Sequence, residues 1–191
     1  MNAIIFHGTD CEPNDKWYWF AWLKRELEKR GIEVELPFME KINRETVDET
    51  LAKIPEILSK INSDTILIGH SSGVPLILSI LEKSDIKIRQ AVLVAGYFEA
   101  ATELLGKSPI LQSEYDFAKI RENCKNFTLF NSTNDPWGCD DIEGKRLFEK
   151  LGGDTLIVRN DGHFGSSGKN QIYDEFPLLL KMLDLDGEVL L

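Results

Sequence analysis

A chain of 191 residues, 42% hydrophobic and 28% charged, has the composition of a globular protein, which excludes disordered and fibrous classes. The formal net charge of -10 argues against nucleic acid or an anionic membrane surface as a partner, because lysine and arginine must neutralise phosphates there. This length fits one domain over residues 1–191, with a core that can hold without disulfides or metals.

The chain opens on an apolar run at residues 3–6, read as a strand. No basic segment precedes that run and no signal-peptide layout follows it, so a cytoplasmic location is expected. Residues 17–30 place Phe20, Leu23 and Leu27 on one helical face and stop at Gly31, a natural cap. A strand follows at 32–36. Helical spacing returns over 46–61, where Pro55 kinks the helix or splits it in two. The uncharged stretch 65–81 holds a histidine, two glycines and a proline. It therefore reads as a strand (65–68), a turn and a helix (74–81), not as a membrane span. Strands at 91–95, 127–130 and 155–158 alternate with helices at 117–124, 142–151 and 173–183. Cys11, Cys124 and Cys139 are scattered and odd in number, which reads as reduced thiols and not as a disulfide framework.

Short apolar strands alternating with helices predict an α/β protein whose parallel sheet is covered on both faces. Such sheets bind ligands at the carboxyl ends of their strands. The loop after the third strand reads Gly69-His70-Ser71-Ser72-Gly73, a G-x-S-x-G between strand and helix, the arrangement called a nucleophile elbow. The spacing has a physical cause. A serine on so sharp a turn is crowded by neighbouring backbone, and glycines two before and two after remove the clashing side chains. Ser71 is the candidate nucleophile. Ser72 could compete but lacks the symmetric glycines, so its backbone N–H is assigned to an oxyanion hole. The competing structural reading is a Gly/Ser turn that merely links strand to helix.

A serine nucleophile needs a base, and the chain has three histidines. His70 lies inside the elbow and points away from the hydroxyl. His7, with Gly8, resembles the pair that precedes an oxyanion loop, and the Thr9 backbone N–H is the second candidate donor. His163, glycine-flanked after the last strand, is the candidate base. A carboxylate must then hold its tautomer. Asp135 follows the fifth strand, and Pro136 keeps it in an extended turn. Asp161 is the rival acid, although two residues from His163 it more naturally closes a local turn. The order Ser, Asp, His is that of α/β-hydrolases. Trp17 from the aromatic cluster 17–22, with Trp137 and Phe164 beside the acid and base, are candidate walls of an apolar substrate pocket.

Other chemistries fail by inspection. Residues 162–169 imitate a phosphate loop but carry His163 and Asn170 where glycine and Ser or Thr are required. No G-x-G-x-x-G follows the first strand, and the histidines are too far apart for metal-binding spacing, so neither metal nor cofactor is expected. The expected activity is hydrolysis of a small-molecule ester or amide. The competing readings are a non-catalytic protein-interaction module on the same scaffold, with its partner unknown, and an acyltransferase or peptidase using the same three residues.

These residues together resemble the retinoblastoma-binding-protein-9-like (YdeN-like) serine hydrolase family. The resemblance runs through His7-Gly8, Trp17-Tyr18-Trp19, residues 68–73, 91–95 and 132–136, and Gly162-His163-Phe164. It implies a compact α/β-hydrolase core of about six parallel strands in the order 2-1-3-4-5-6, without a large lid. It also implies Ser71, Asp135 and His163 as the triad. The Leu-x-Cys-x-Glu signature of retinoblastoma-protein binding is missing, so that partner does not carry over.

Overall fold

The computed structural model describes residues 1–99, 108–124 and 126–185. Six strands, β1 (Asn2–Phe6), β2 (Glu33–Glu35), β3 (Thr65–His70), β4 (Gln90–Val94), β5 (Phe127–Ser132) and β6 (Thr155–Arg159), form one sheet. Every pairing is parallel and the order is β2-β1-β3-β4-β5-β6, as the resemblance implies. β1, β3, β4 and β5 are buried throughout, whereas the edge strand β6 is half-exposed. That accounts for the continuous apolar runs of the inner strands, which have no solvent face to alternate with.

Seven helices flank the sheet among the described residues: α1 (Phe20–Glu28), α2 (Val47–Leu51), α3 (Pro55–Leu58), α4 (Gly73–Lys83), α5 (Phe117–Glu122), α6 (Asp141–Leu151) and α7 (Pro177–Lys181). One apolar cluster builds on α4 with Phe6, Leu67 and Leu93. The other joins α1 to Ile5, Ile68, Val94 and Phe176 on the opposite face. Pro55 does split its segment, sitting at the start of α3. A capping box at Thr46 and Glu49 starts α2, and Asp140 caps α6, whose end is Gly152 in left-handed geometry. No helix is long and apolar enough to cross a membrane among the described residues.

Two helices start about a turn later than their spacing suggested. Trp17, Tyr18 and Trp19 precede α1, because Asp15 closes a turn by accepting the Trp17 N–H at 3.0 Å. Residues 173–176 are likewise outside the helix: Tyr173 donates its N–H to the Trp17 carbonyl at 3.2 Å, and Pro177 opens α7. The two irregular segments are thereby stitched together beside the carboxyl ends of the strands.

Candidate active site

The turn between β3 and α4 is built by what cannot fit around it. Ser71 has φ 51°, a left-handed conformation that a serine adopts only under constraint. Its N–H is held by the Val94 carbonyl at 2.9 Å. A Cβ on Gly69 would lie 2.9 Å from the Gly73 carbonyl oxygen, and one on Gly73 would lie 2.2 Å from that of Phe6. Gly8 passes directly over the elbow, where a Cβ would come within 2.8 Å of the Ser71 Cβ. Asp10, Ala95 and Phe164 also have left-handed backbone, so strain collects at the carboxyl ends of β1, β3, β4 and β6. Such clustering is characteristic of functional sites.

His163 and Asp135 meet across 28 residues of chain, with Nδ1 2.7 Å from Oδ2. A carboxylate only accepts, so Nδ1 carries a proton, and in the neutral form of the ring Nε2 is the basic nitrogen. The other oxygen, Oδ1, accepts the Trp137 N–H at 2.8 Å, and the Asp135 side chain is fully buried. The rival Asp161 turns elsewhere, pairing with Arg159 at 3.0 Å and accepting from the Tyr173 hydroxyl.

The loop carrying His163 is pinned by side chains. Gln171 accepts the His163 N–H at 2.9 Å and donates to the Asp161 carbonyl at 2.6 Å. Asn134 accepts the Gly162 N–H at 2.8 Å, and Ser132 Oγ accepts that of Asp161 at 2.7 Å. Gly162 has φ 58° and lies so close to Gln171 that a Cβ would fall 2.3 Å from its amide nitrogen.

Ser71 and His163 wall one cavity of about 440 Å³, together with Thr9, Ser72, Tyr18, Tyr97 and Trp137. Eight of its fifteen described lining residues carry hydroxyls, Asp10 is among the others, and neither lysine nor arginine is. Thr9 Oγ1 and Ser72 Oγ are 2.7 Å apart, Ser72 Oγ and the Tyr97 hydroxyl 3.0 Å, and Tyr97 donates to Ser108 Oγ at 3.2 Å. With one proton per hydroxyl, that last bond orients the whole chain from Thr9 toward Ser108. His7 is neutral: it accepts the Met39 N–H on Nε2 at 2.8 Å and donates Nδ1–H to the Gly8 carbonyl at 2.7 Å. Burial lowers its pKa below the ordinary imidazole value.

Two expected pocket residues lie elsewhere. Phe164 is fully buried, with its ring stacked on Phe176 at 5.4 Å and meeting Phe130 edge-on at 6.4 Å. It is core. Trp17 is not among the described cavity-lining residues, since the turn closed by Asp15 presents Tyr18 there instead. Trp137 does line the cavity. The sequence reading missed Tyr97, Asn43, Ser166 and Ser167. For Tyr97 a usable signal existed, its place just beyond β4.

The residues of the chain that could hold a cation include Asp135, Cys139 and His163, whose donor atoms lie within 4.8 Å of one another. Sequence spacing could not show this grouping. Two of those donors are already engaged with each other, and burial pushes the Cys139 thiol well above its usual pKa, which disfavours the thiolate a metal would take.

The model of the family described as Serine hydrolase matches residues 3–184. The chain belongs to that family. It is 25% identical over 167 residues to the protein YdeN of Bacillus subtilis (strain 168), covering 85% of each chain. It is also 25% identical over 172 residues to serine hydrolase RBBP9 of Rattus norvegicus, covering 85% of this chain and 86% of that one. The crystal structure of the B. subtilis ydeN gene product superposes with a TM-score of 0.83 over 94% of this chain and 95% of that chain, at 22% identity, which shows a shared α/β-hydrolase fold.

Proposed function

We propose that this serine hydrolase cleaves a small ester or amide through an acyl-enzyme, with Ser71 as nucleophile, His163 as general base and Asp135 as the acid that orients it. The single observation that carries the reading is the 2.7 Å bond from His163 Nδ1 to a buried Asp135 oxygen, on a ring that shares its cavity with a strained Ser71. That bond leaves Nε2 free to take a proton.

His163 Nε2 removes the Ser71 hydroxyl proton as Oγ attacks the carbonyl carbon, and the carbonyl π electrons move onto oxygen. The N–H groups of Thr9 and Ser72 stabilise that oxyanion. Collapse of the intermediate expels the leaving group, which takes the proton from Nε2. Water, deprotonated by the same nitrogen, then attacks the acyl-enzyme, and Ser71 recovers its proton as the acid departs. A cavity of about 440 Å³ suits a small acyl or leaving group, and a described lining that holds Asp10 but neither lysine nor arginine disfavours an anionic one.

A fluorophosphonate probe tests the reading. Folded protein is expected to be labelled once, at Ser71, and Ser71→Ala is expected to abolish the label. Folded protein that never reacts, or labelling that survives the substitution, rejects it. p-Nitrophenyl esters graded by acyl length, set beside aminoacyl amides, then separate esterase from peptidase.

A further inference from the structure

His70 immediately precedes the proposed nucleophile, and its ring is wholly buried. Tyr18, Trp19 and Phe20 surround it, with ring centroids 5.8, 6.3 and 5.6 Å away. The ring of His163 meets it edge to face at 4.8 Å. Its Nε2 is 2.8 Å from the His163 carbonyl oxygen. A carbonyl accepts only, so Nε2 carries the proton. Nδ1 is buried without a hydrogen-bond partner among the described residues. Burial, with the neighbouring His163 adding to it, holds the pKa of His70 well below the ordinary imidazole value, so the ring stays neutral in this tautomer.

The unpartnered nitrogen is the informative part. An orphaned buried acceptor is destabilising, a penalty that a phenyl ring in the same aromatic box would avoid. Packing alone therefore does not account for an imidazole here. What the imidazole adds is the N–H given to the His163 carbonyl, across 93 positions of chain. Gln171 grips the N–H of the same residue from the other side. The backbone of the base is thus clamped at both its polar atoms, and one of the two clamps is covalently continuous with the elbow.

Resting on the reading of His163 as base, we propose that His70 is a positioning residue: its Nε2–H sets the distance between the base loop and Ser71, so that serine and imidazole move as one rigid unit. It touches neither substrate nor reacting atoms. A misplacement of about 1 Å at a base typically costs on the order of 10²-fold in rate.

Three variants test this: His70→Leu, which removes the donor; His70→Gln, whose amide nitrogen can reach the same carbonyl; and His70→Phe, which keeps the aromatic packing. The readouts are the second-order rate of fluorophosphonate labelling from pH 5 to 9 and the His163 ring signals by NMR. Leu and Phe are expected to slow labelling roughly 10-fold to 100-fold, to change its pH profile and to shift the His163 ring resonances, while Gln restores most of the rate. Equal rates in all folded variants, with His163 signals unmoved, overturn the proposal. A loss that Phe restores and Gln does not assigns His70 to packing and overturns it too. If the wild-type protein is never labelled, the hydrolytic reading fails, and whether Gln, but not Phe, restores the wild-type His163 signals still decides whether His70 holds His163.

Discussion

Thr9 Oγ1 lies 2.7 Å from Ser72 Oγ, which ties the loop after β1 to the first residue beyond the proposed nucleophile. These two residues are also the proposed oxyanion donors, through their backbone N–H groups. Their side chains thus fix the gap between two donors that belong to different loops. A neutral hydrogen bond of this kind is worth about 1 kcal/mol, or roughly fivefold in rate. Thr9→Val and Ser72→Ala are each expected to lower kcat on p-nitrophenyl acetate by about that factor, with KM little changed. The double variant should lose no more than either single one. A double-mutant cycle with strictly additive losses would contradict the coupling.

Asp135→Asn keeps an oxygen that can accept the Trp137 N–H but can present an amide N–H to His163 Nδ1. The imidazole is then forced into the opposite tautomer. Turnover is expected to fall on the order of 10⁴-fold while the fold persists. Steady-state kinetics beside a thermal melt check this. A melt lowered by many degrees would mean that the carboxylate chiefly supports the fold.

Legibility in the sequence follows the range of the interaction. The inner strands were readable because burial on both faces leaves unbroken apolar runs, as at Ile66-Leu67-Ile68. The pair Gly69 and Gly73 was readable because the turn excludes a Cβ at both, and the close approaches at the two positions have that same cause. Individual hydrogen bonds between distant loops that no motif marks left no such trace. Nothing near His70 announces a carbonyl 93 residues away, and nothing near Thr9 announces Ser72. The wrong reading of Trp17 came from extending the α1 periodicity backward through a turn that Asp15 closes. Phe164 was misread because adjacency to His163 says nothing of which way a residue at φ 52° turns its ring.

Phe164 and Trp137 should therefore separate cleanly on substitution. Phe164 is fully buried, so Phe164→Ala is expected to cost about 3–5 kcal/mol in urea unfolding. Trp137 is half-buried at the cavity wall, so Trp137→Ala is expected to raise KM and to change stability far less. The reverse pattern would return Phe164 to the pocket.

Glu143 supplies a pH signature of stability. Its side chain is almost wholly buried, accepts the Phe98 N–H at 3.1 Å and stands 3.4 Å from Arg146. Burial, with Asp140 adding to it, pushes its carboxyl up to about 6 from 4.5. The folded chain thus keeps a proton that the unfolded chain releases, and this contribution to stability falls as pH rises from 4.5 to about 6. Glu143→Gln retains the acceptor and removes the titration. Its Tm relative to wild type is expected to climb across that interval and to level off above it. A constant difference from pH 4 to 8 would refute the assignment.

All three cysteines are buried, and burial pushes Cys11 and Cys124 up to about 12 and Cys139 well above its usual value. Such shifts keep the thiols protonated at neutral pH, and only the ionised form attacks an electrophile. The native protein is thus a silent background for maleimide chemistry. A single cysteine engineered onto its surface can carry a fluorophore or spin label without first removing the others.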